Sequence, residues 1–152
     1  MSSKLYKMEK ADLLRVAADW SHWDGPPPRS VVRTVAVPRE LRPGIALVIQ
    51  GVRRCGKSTL LEQLIDRYEL DRSKCLFINF EDPRLAQSLD HATLQDLVDA
   101  FEADRGPGCI YLFDEVQWVD GWQRWLRQTK NFTNSYGTTG QDHVGFWSET
   151  RR

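Results

Sequence analysis

Runs of apolar residues alternate along the chain with segments in which apolar residues recur at helical spacing. Residues 45–49, 75–80 and 110–113 are apolar runs of strand length, as is typical of strands that a parallel sheet buries on both faces. Residues 57–68 and 93–103 instead repeat their apolar positions at the spacing of one helix face. This alternation of strand and helix predicts an α/β fold with a mostly parallel sheet.

The N-terminal part, residues 1–40, has a weaker pattern. Apolar residues that share one face predict a helix that an N-terminal serine caps and that runs to about Trp20. Residues 24–28 contain three prolines and predict a stiff connector, and residues 31–37 predict an edge strand. We interpret this helix as an accessory element that covers the sheet; a helix that binds a partner is the alternative.

The turn between the first predicted strand and the next helix fits G-x-x-x-x-G-K-[ST], the phosphate-binding (Walker A) loop of nucleoside-triphosphate enzymes. Gly51 and Gly56 let the backbone wrap around an anion, and Lys57 brings a cation to the β- and γ-phosphates. The Ser58 hydroxyl can bind Mg²⁺, and a helix that begins at about Lys57 directs its N-terminal dipole toward the phosphates. The predicted nucleotide-binding residues are Gly51, Val52, Arg53, Arg54, Cys55, Gly56, Lys57, Ser58 and Thr59.

The third predicted strand ends in an acidic pair, Asp114 and Glu115, as the Walker B motif does. Asp114 is predicted to hold Mg²⁺ through a coordinated water, and Glu115 to polarise the attacking water as a general base. Lys57 and Glu115 are therefore the candidate catalytic residues, and Ser58 and Asp114 are the candidate metal ligands. Two solvated acids in a strand-ending turn are the alternative, which the preceding phosphate loop disfavours.

Polar residues also follow the second predicted strand. Asn79, Glu81 and Asp82 lie at its carboxyl end, the side on which open α/β sheets bind ligands. They are expected to contact the Mg²⁺ of the nucleotide or its waters. Capping of the next turn by Glu81 and Asp82 is an equally good interpretation, and the sequence leaves both open.

Three stretches and one tryptophan together resemble one group of ATPases. Residues 51–59, 79–82 and 111–117, with Trp122, are similar to the AAA-superfamily ATPases of bacteria and archaea that carry a C-terminal domain of unknown function. The resemblance extends over about residues 45–126. Its phosphate-loop and Asp-Glu motifs belong to a wide ATPase superfamily, whereas Asn-Phe-Glu-Asp and Asp-Glu-Val-Gln are more particular to this group.

The resemblance implies a three-layer P-loop NTPase core over residues 41–128, with ATP and Mg²⁺ as ligands. It implies that Lys57 and Thr59 contact phosphate and that Ser58 and Asp114 serve Mg²⁺. An N/T-K-x-D guanine-reading motif is absent from the sequence, so adenine is the expected base. The complete protein is expected to hydrolyse ATP to ADP and phosphate.

The alternation of predicted strands and helices ends after a predicted helix that begins near residue 120. The resemblance places an apolar strand with a polar sensor residue next, between the phosphate-loop strand and the acidic-pair strand, and then a helical lid and an arginine finger. Residues 129–152 are polar and predict none of these elements. We therefore expect an incomplete core, from a truncated or out-of-frame product with a disordered tail. The alternative is a minimal relative in which residues 136–139 replace the strand.

An incomplete sheet has a functional consequence. Without the intervening strand, its neighbours lack hydrogen-bond partners and a full core. The sequence therefore predicts weak ATP binding with little hydrolysis in this chain. A nucleotide-dependent switch or scaffold that does not hydrolyse ATP is the first alternative function, and a P-loop small-molecule kinase is the second.

Composition indicates which binding partners and which cellular compartment to expect. The 152 residues suit one domain, and 21 basic residues balance 21 acidic ones, so nucleic acid and anionic membranes are not indicated. An apolar run of membrane-spanning length is absent from the sequence. The three cysteines form no C-x-x-C pair, which favours a reducing cytoplasm. ATP is the expected partner, and a protein partner or self-association stays open.

Overall fold

The computed structural model describes residues 7–23, 25–26, 29–32, 35–40, 46–52, 56–87, 89–128 and 144–150. Within these residues, helices and strands alternate after an N-terminal helix. The elements are α1 (Lys10–Ser21), β1 (Ala46–Gly51), α2 (Lys57–Arg67), β2 (Cys75–Asn79), α3 (His91–Arg105), β3 (Ile110–Asp114), α4 (Trp122–Gln128) and β4 (Val144–Thr150). The three strands and three helices predicted from residue 45 to residue 126 are therefore confirmed, with small shifts at their ends.

The four strands form one parallel sheet in the order β1-β4-β3-β2. Helices follow β1, β2 and β3 before the chain returns to the sheet, which is the connection that parallel strands require. The predicted α/β fold with a mostly parallel sheet is confirmed, and every strand pair in the described part of the chain is parallel.

Side chains of the strands alternate between two apolar layers, one on each face of the sheet. One face packs against α1, α3 and α4 through Leu76, Ile78, Tyr111, Phe113 and Trp147. The other face packs against α2 through Cys75, Phe77, Ile110, Leu112 and Phe146. Because helices cover both faces, the strands are buried on both sides, and the predicted three-layer architecture is confirmed.

The strand β4 corrects the prediction of an incomplete sheet. Val144–Thr150 pairs with β1 on one side and with β3 on the other, in the position that was expected to be vacant. Phe146 and Trp147 are fully buried, one toward each helical layer. Residues 136–139, the alternative location for this strand, lie outside the described residues. The absent strand, on which the expected loss of ATP binding and hydrolysis depended, is thus present.

The N-terminal segment also differs from its prediction. Helix α1 begins at Lys10, later than predicted, and Glu9 occupies its N-cap position. The predicted edge strand over residues 31–37 is wrong, since the described residues of that segment form no strand. Side chains of α2 hold its backbone instead: Gln63 donates to the Val31 carbonyl at 2.7 Å, and Arg67 donates to the Val35 carbonyl at 2.8 Å.

The end of α1 covers the outer edge of β2, as predicted for a covering helix. The Ser21 hydroxyl accepts from the Phe77 N–H and donates to the Phe77 carbonyl, both at 2.9 Å, and thereby replaces a neighbouring strand. The Trp23 indole N–H donates to the Cys75 carbonyl at 2.8 Å. These bonds protect an edge that would otherwise be open to strand addition. None of the described helices combines the length and hydropathy needed to cross a membrane.

Candidate functional site

Three polar residues lie at or near the carboxyl ends of three adjacent strands, on the same face of the sheet. Asn79 ends β2, Asp114 ends β3, and Ser148 follows the buried aromatic residues of β4. Each comes two residues after a side chain that packs toward α2, so the alternation of strand side chains directs all three to the α2 face. The carboxyl edge of the sheet therefore presents a row of polar groups to the beginning of α2, next to the phosphate loop.

Asp114 is at the centre of this row and is fully buried. The hydroxyls of Ser58 and Ser148 donate to its two carboxylate oxygens, and the Asn79 amide donates to Oδ2 at 3.2 Å. Within the described residues, Asp114 forms no salt bridge. Burial raises the pKa of Asp114, although the hydrogen bonds from Ser148 and Ser58 act in the opposite direction. The site thus contains a desolvated carboxylate held by neutral donors.

The two described ends of the phosphate loop have the backbone that its motif requires. Gly51 ends β1, and Gly56 has a φ of 88°, in the left-handed region that favours glycine. Lys57 begins α2 with its side chain buried, and its Nζ donates to the Val52 carbonyl across the loop at 2.7 Å. The three loop residues between Val52 and Gly56, namely Arg53, Arg54 and Cys55, lie outside the described residues.

The motif residue after Lys57 connects the phosphate loop to the acidic pair. Ser58, in the first turn of α2, donates directly to Asp114. Lys57 lies close enough to lower the pKa of that carboxyl, although burial dominates. Thr59 is half-buried beside Ser58. The structure therefore brings the predicted metal ligands into contact and places the predicted catalytic lysine next to them.

Glu115 follows Asp114 in a left-handed backbone conformation with a φ of 56°, which a residue other than glycine rarely adopts. Its N–H donates to the Ser148 hydroxyl at 2.8 Å, and its carboxylate accepts a hydrogen bond from the Gln117 amide. Ser148 therefore contacts both acidic residues: it donates to the carboxylate of Asp114 and accepts from the backbone of Glu115. The bend ends β3 and begins the turn over Val116–Trp118.

Ser148 is the functional residue that sequence reasoning missed. The signal was present, because Phe146 and Trp147 precede Ser148 as Leu112 and Phe113 precede Asp114. The apolar stretch is short, however, and polar residues flank it. The role of Ser148 depends on the strand order, which puts this part of β4 beside the end of β3.

The polar residues at the end of β2 and after it have different roles in the structure. Asn79 contacts Asp114, as expected for a residue of the site. Asp82 instead caps the turn at Pro83–Leu85: its carboxylate accepts from the Arg84 N–H at 2.9 Å and pairs with the Arg84 guanidinium. Hydrogen bonds from Arg84 lower the pKa of Asp82 to about 2, and the Trp20 indole adds another at 2.9 Å. The capping interpretation is therefore confirmed for Asp82.

Comparison with known proteins agrees with this site. A family model described as an AAA domain matches residues 44–140. An uncharacterized protein of Haemophilus influenzae is 35% identical over 80 residues, which are 51% of this chain and 20% of that protein. An uncharacterized protein of Methanocaldococcus jannaschii is 37% identical over 90 residues, 59% of this chain and 19% of that protein.

The aligned part of the chain thus spans about a fifth of the length of these two curated relatives. No solved structure matches the chain. The family match, in contrast, extends over well more than half of the 152 residues and includes both the phosphate loop and the acidic pair. This chain belongs to the family of AAA domains.

Proposed function

We propose that this chain is an ATP-binding domain that uses Mg²⁺ and hydrolyses ATP to ADP and phosphate. The observation that carries the proposal is the contact between Ser58 of the phosphate loop and Asp114 at the end of β3. That contact joins the two motifs of a phosphoryl-transfer site across the carboxyl edge of the sheet. The family of AAA domains, to which the chain belongs, supports nucleotide binding.

The donor set at Asp114 fits Mg²⁺. The Ser58 hydroxyl and the Asp114 carboxylate are adjacent oxygen ligands, and Mg²⁺ prefers oxygen and keeps several of its waters. Among the described residues, no group of three or more acidic, histidine or cysteine side chains could hold a metal ion. Mg²⁺ in nucleotide sites usually binds one or two protein oxygens together with waters and phosphate oxygens, and these would complete its coordination. A cation would also compensate the buried charge of Asp114, for which the described residues provide no salt bridge.

The chain's own residues provide the remaining functions. The backbone N–H groups between Gly51 and the first turn of α2 would bind the phosphates, and Lys57 would contribute its charge from a buried position. Bound Mg²⁺ would neutralise charge on the phosphate oxygens. Glu115 would accept a proton from water as the water oxygen bonds to the γ-phosphorus. The bond between that phosphorus and the bridging oxygen would break, and ADP would depart with the electron pair.

The experiment that tests the proposal compares Glu115→Gln with the unchanged chain. Because the amide cannot accept the proton, ATP hydrolysis should fall by at least about 100-fold, while ATP affinity should change less than about 3-fold. Lys57→Ala should reduce binding and hydrolysis together. The exposed residue Glu69 gives a matched control, since Glu69→Gln should leave both quantities unchanged.

The same measurements separate a second candidate, a switch that binds ATP without hydrolysing it. One contact favours that candidate: the Gln117 amide donates to one carboxylate oxygen of Glu115 and so uses an acceptor position with which a general base could bind water. Tight ATP binding with no turnover in the unchanged chain would support the switch. If the unchanged chain bound no ATP in the presence of Mg²⁺, both candidates would be wrong.

A further inference from the structure

A cavity of about 200 Å³ lies beside the candidate magnesium site. Ser58, Thr59 and Asp114 form part of its wall, so it adjoins the end of the site where the outermost phosphate of a bound nucleotide would lie. His22 and Arg29 form another part of the wall. The volume is several times the roughly 30 Å³ that one water occupies in the liquid, so a phosphate group and waters would fit.

The segment that carries Arg29 is held by the same helix that begins at the phosphate loop. The Gln63 side chain of α2 donates to the Ser30 hydroxyl at 2.8 Å and to the Val31 carbonyl at 2.7 Å. These bonds join the residues directly after Arg29 to α2. Arg29 therefore directly precedes two residues that are hydrogen-bonded to the same helix that carries Ser58.

The charges around the cavity leave Arg29 available for an anion. Glu62, an acidic residue of the wall, forms a salt bridge with Arg72. Asp114 is the candidate magnesium ligand and is held by hydroxyl and amide donors. Arg29 is exposed and makes no hydrogen bond or ion pair with another residue in the part of the chain that the structure describes. Beside a phosphate site, a guanidinium that has no partner among the described residues is well suited to bind phosphate oxygens.

We propose that Arg29 contacts the terminal phosphate of ATP from within the same chain and makes the site prefer ATP to ADP. This inference rests on the proposed function. ADP lacks the terminal phosphate, so its binding would not use the contact. During hydrolysis, the guanidinium would also stabilise the charge that spreads over the oxygens of the phosphoryl group while the bond to ADP breaks.

The test compares the affinities of Arg29→Ala and the unchanged chain for a non-hydrolysable ATP analogue and for ADP, with Mg²⁺ and a fluorescent competitor. Loss of a charge-assisted contact should weaken binding of the analogue by about 10-fold or more. Affinity for ADP should change less than about 2-fold. Arg29→Lys should retain part of the preference for the analogue, since it keeps the charge but loses the planar fork.

Two further variants sharpen the result. Gln63→Ala should reduce the preference by a smaller factor than Arg29→Ala, because it releases the segment but keeps the guanidinium. Arg39→Ala is the matched control: Arg39 is an exposed arginine of the same segment that does not line the cavity, so its loss should change neither affinity. Thermal unfolding should be the same for Arg29→Ala, Arg29→Lys and Arg39→Ala, since both arginines are exposed, whereas Gln63→Ala should lower the stability slightly because it loses two hydrogen bonds.

The outcomes separate the two proposals. If the unchanged chain binds both nucleotides and Arg29→Ala weakens neither or weakens both equally, the role of Arg29 is wrong and the proposed function stands. If the unchanged chain binds neither nucleotide, both are wrong. If Arg29→Ala lowers the thermal stability, the comparison of Arg29→Lys with Arg39→Ala decides. A reduced preference for the analogue in Arg29→Lys alone would support the inference, and an unchanged preference in both variants would overturn it.

Discussion

Two buried aspartates follow neighbouring strands at the same edge of the sheet, but their charges are compensated differently. Asp82, after β2, pairs with the Arg84 guanidinium and accepts from the Trp20 indole, and these donors hold its pKa well below the ordinary range. Asp114, at the end of β3, accepts only from hydroxyl and amide groups among the described residues, and burial raises its pKa.

This difference distinguishes an acid that stabilises the fold from the acid that we propose to bind a cation. The pairing of Asp82 is complete without any ligand, so its contribution to stability does not depend on a ligand. Asp114 bears the cost of desolvation without a described ion pair, and a bound cation would supply the missing charge. Burial alone does not distinguish the two carboxylates, because both are buried. The type of hydrogen-bond donor around each carboxylate distinguishes them.

The largest expected effect comes from substitution of Asp114, the aspartate of the candidate functional site. Asp114→Asn removes the charge that would attract Mg²⁺, so hydrolysis should fall by at least about 100-fold and nucleotide affinity should no longer depend on Mg²⁺. The free energy of unfolding without ligand should stay equal or rise, since a buried charge is lost. Steady-state hydrolysis and urea unfolding measure the two quantities. A stable variant that hydrolyses ATP at the original rate would contradict the assignment of Asp114.

Asp82→Asn tests the aspartate that stabilises the fold, and it should lower stability with little effect on hydrolysis. Loss of the charged acceptor leaves Arg84 and the turn less well bound, so the free energy of unfolding should fall by about 1–3 kcal/mol. Hydrolysis should stay within about 3-fold of the original rate at a temperature where the variant is folded. Asp12→Asn is a suitable control, because its exposed pair with Arg15 should contribute less than about 1 kcal/mol.

The smallest effect is a difference in pH dependence. The folded pKa of Asp82, about 2, lies below its ordinary value of 3.8, so its stabilisation is complete above about pH 4 and is lost as pH falls toward 2. The folded pKa of Asp114 lies above 3.8, so the folded chain takes up this proton first, and acidification from neutral pH relieves a destabilisation.

Urea unfolding of Asp82→Asn, Asp114→Asn and the unchanged chain, from neutral pH to about pH 2.5, measures how each aspartate contributes to the free energy of unfolding. The stability deficit of Asp82→Asn should shrink below about pH 4, as the unchanged chain loses the contribution of Asp82. Any stability advantage of Asp114→Asn should instead be largest near neutral pH and close on acidification. Curves that ran parallel for all three proteins would show that the two aspartates do not differ in this way.

Much of the core was predictable because its signals are local. The apolar runs at β1, β2 and β3 are long enough to indicate strands, and the phosphate-loop motif fixes the turn between β1 and α2. Lys57, Ser58 and Asp114 were identified by residue type and spacing, and the sheet order then brings Ser58 and Asp114 into contact. Local sequence could not supply that order.

The errors occur where neighbours, rather than the segment itself, determine the structure. The valines of the predicted edge strand suggested pairing, but Val31 and Val32 are 86% and 83% exposed, and α2 side chains hold the segment's carbonyl groups. In β4, Phe146 and Trp147 are buried because a strand lies on each side and helices cover both faces. Ser148 gained its role from the same arrangement, which no single segment encodes.

The position of β4 also constrains how the protein can be made. Gln50 of β1 and Glu149 of β4 are hydrogen-bonded neighbours, yet they are 99 residues apart along the chain. During translation, β1 leaves the ribosome long before the strand that joins it to β3, and this late, long-range closure is slow to form. The nascent chain therefore carries its phosphate loop on a strand that lacks its final neighbour, and that unpaired strand edge is open to aggregation until β4 is made.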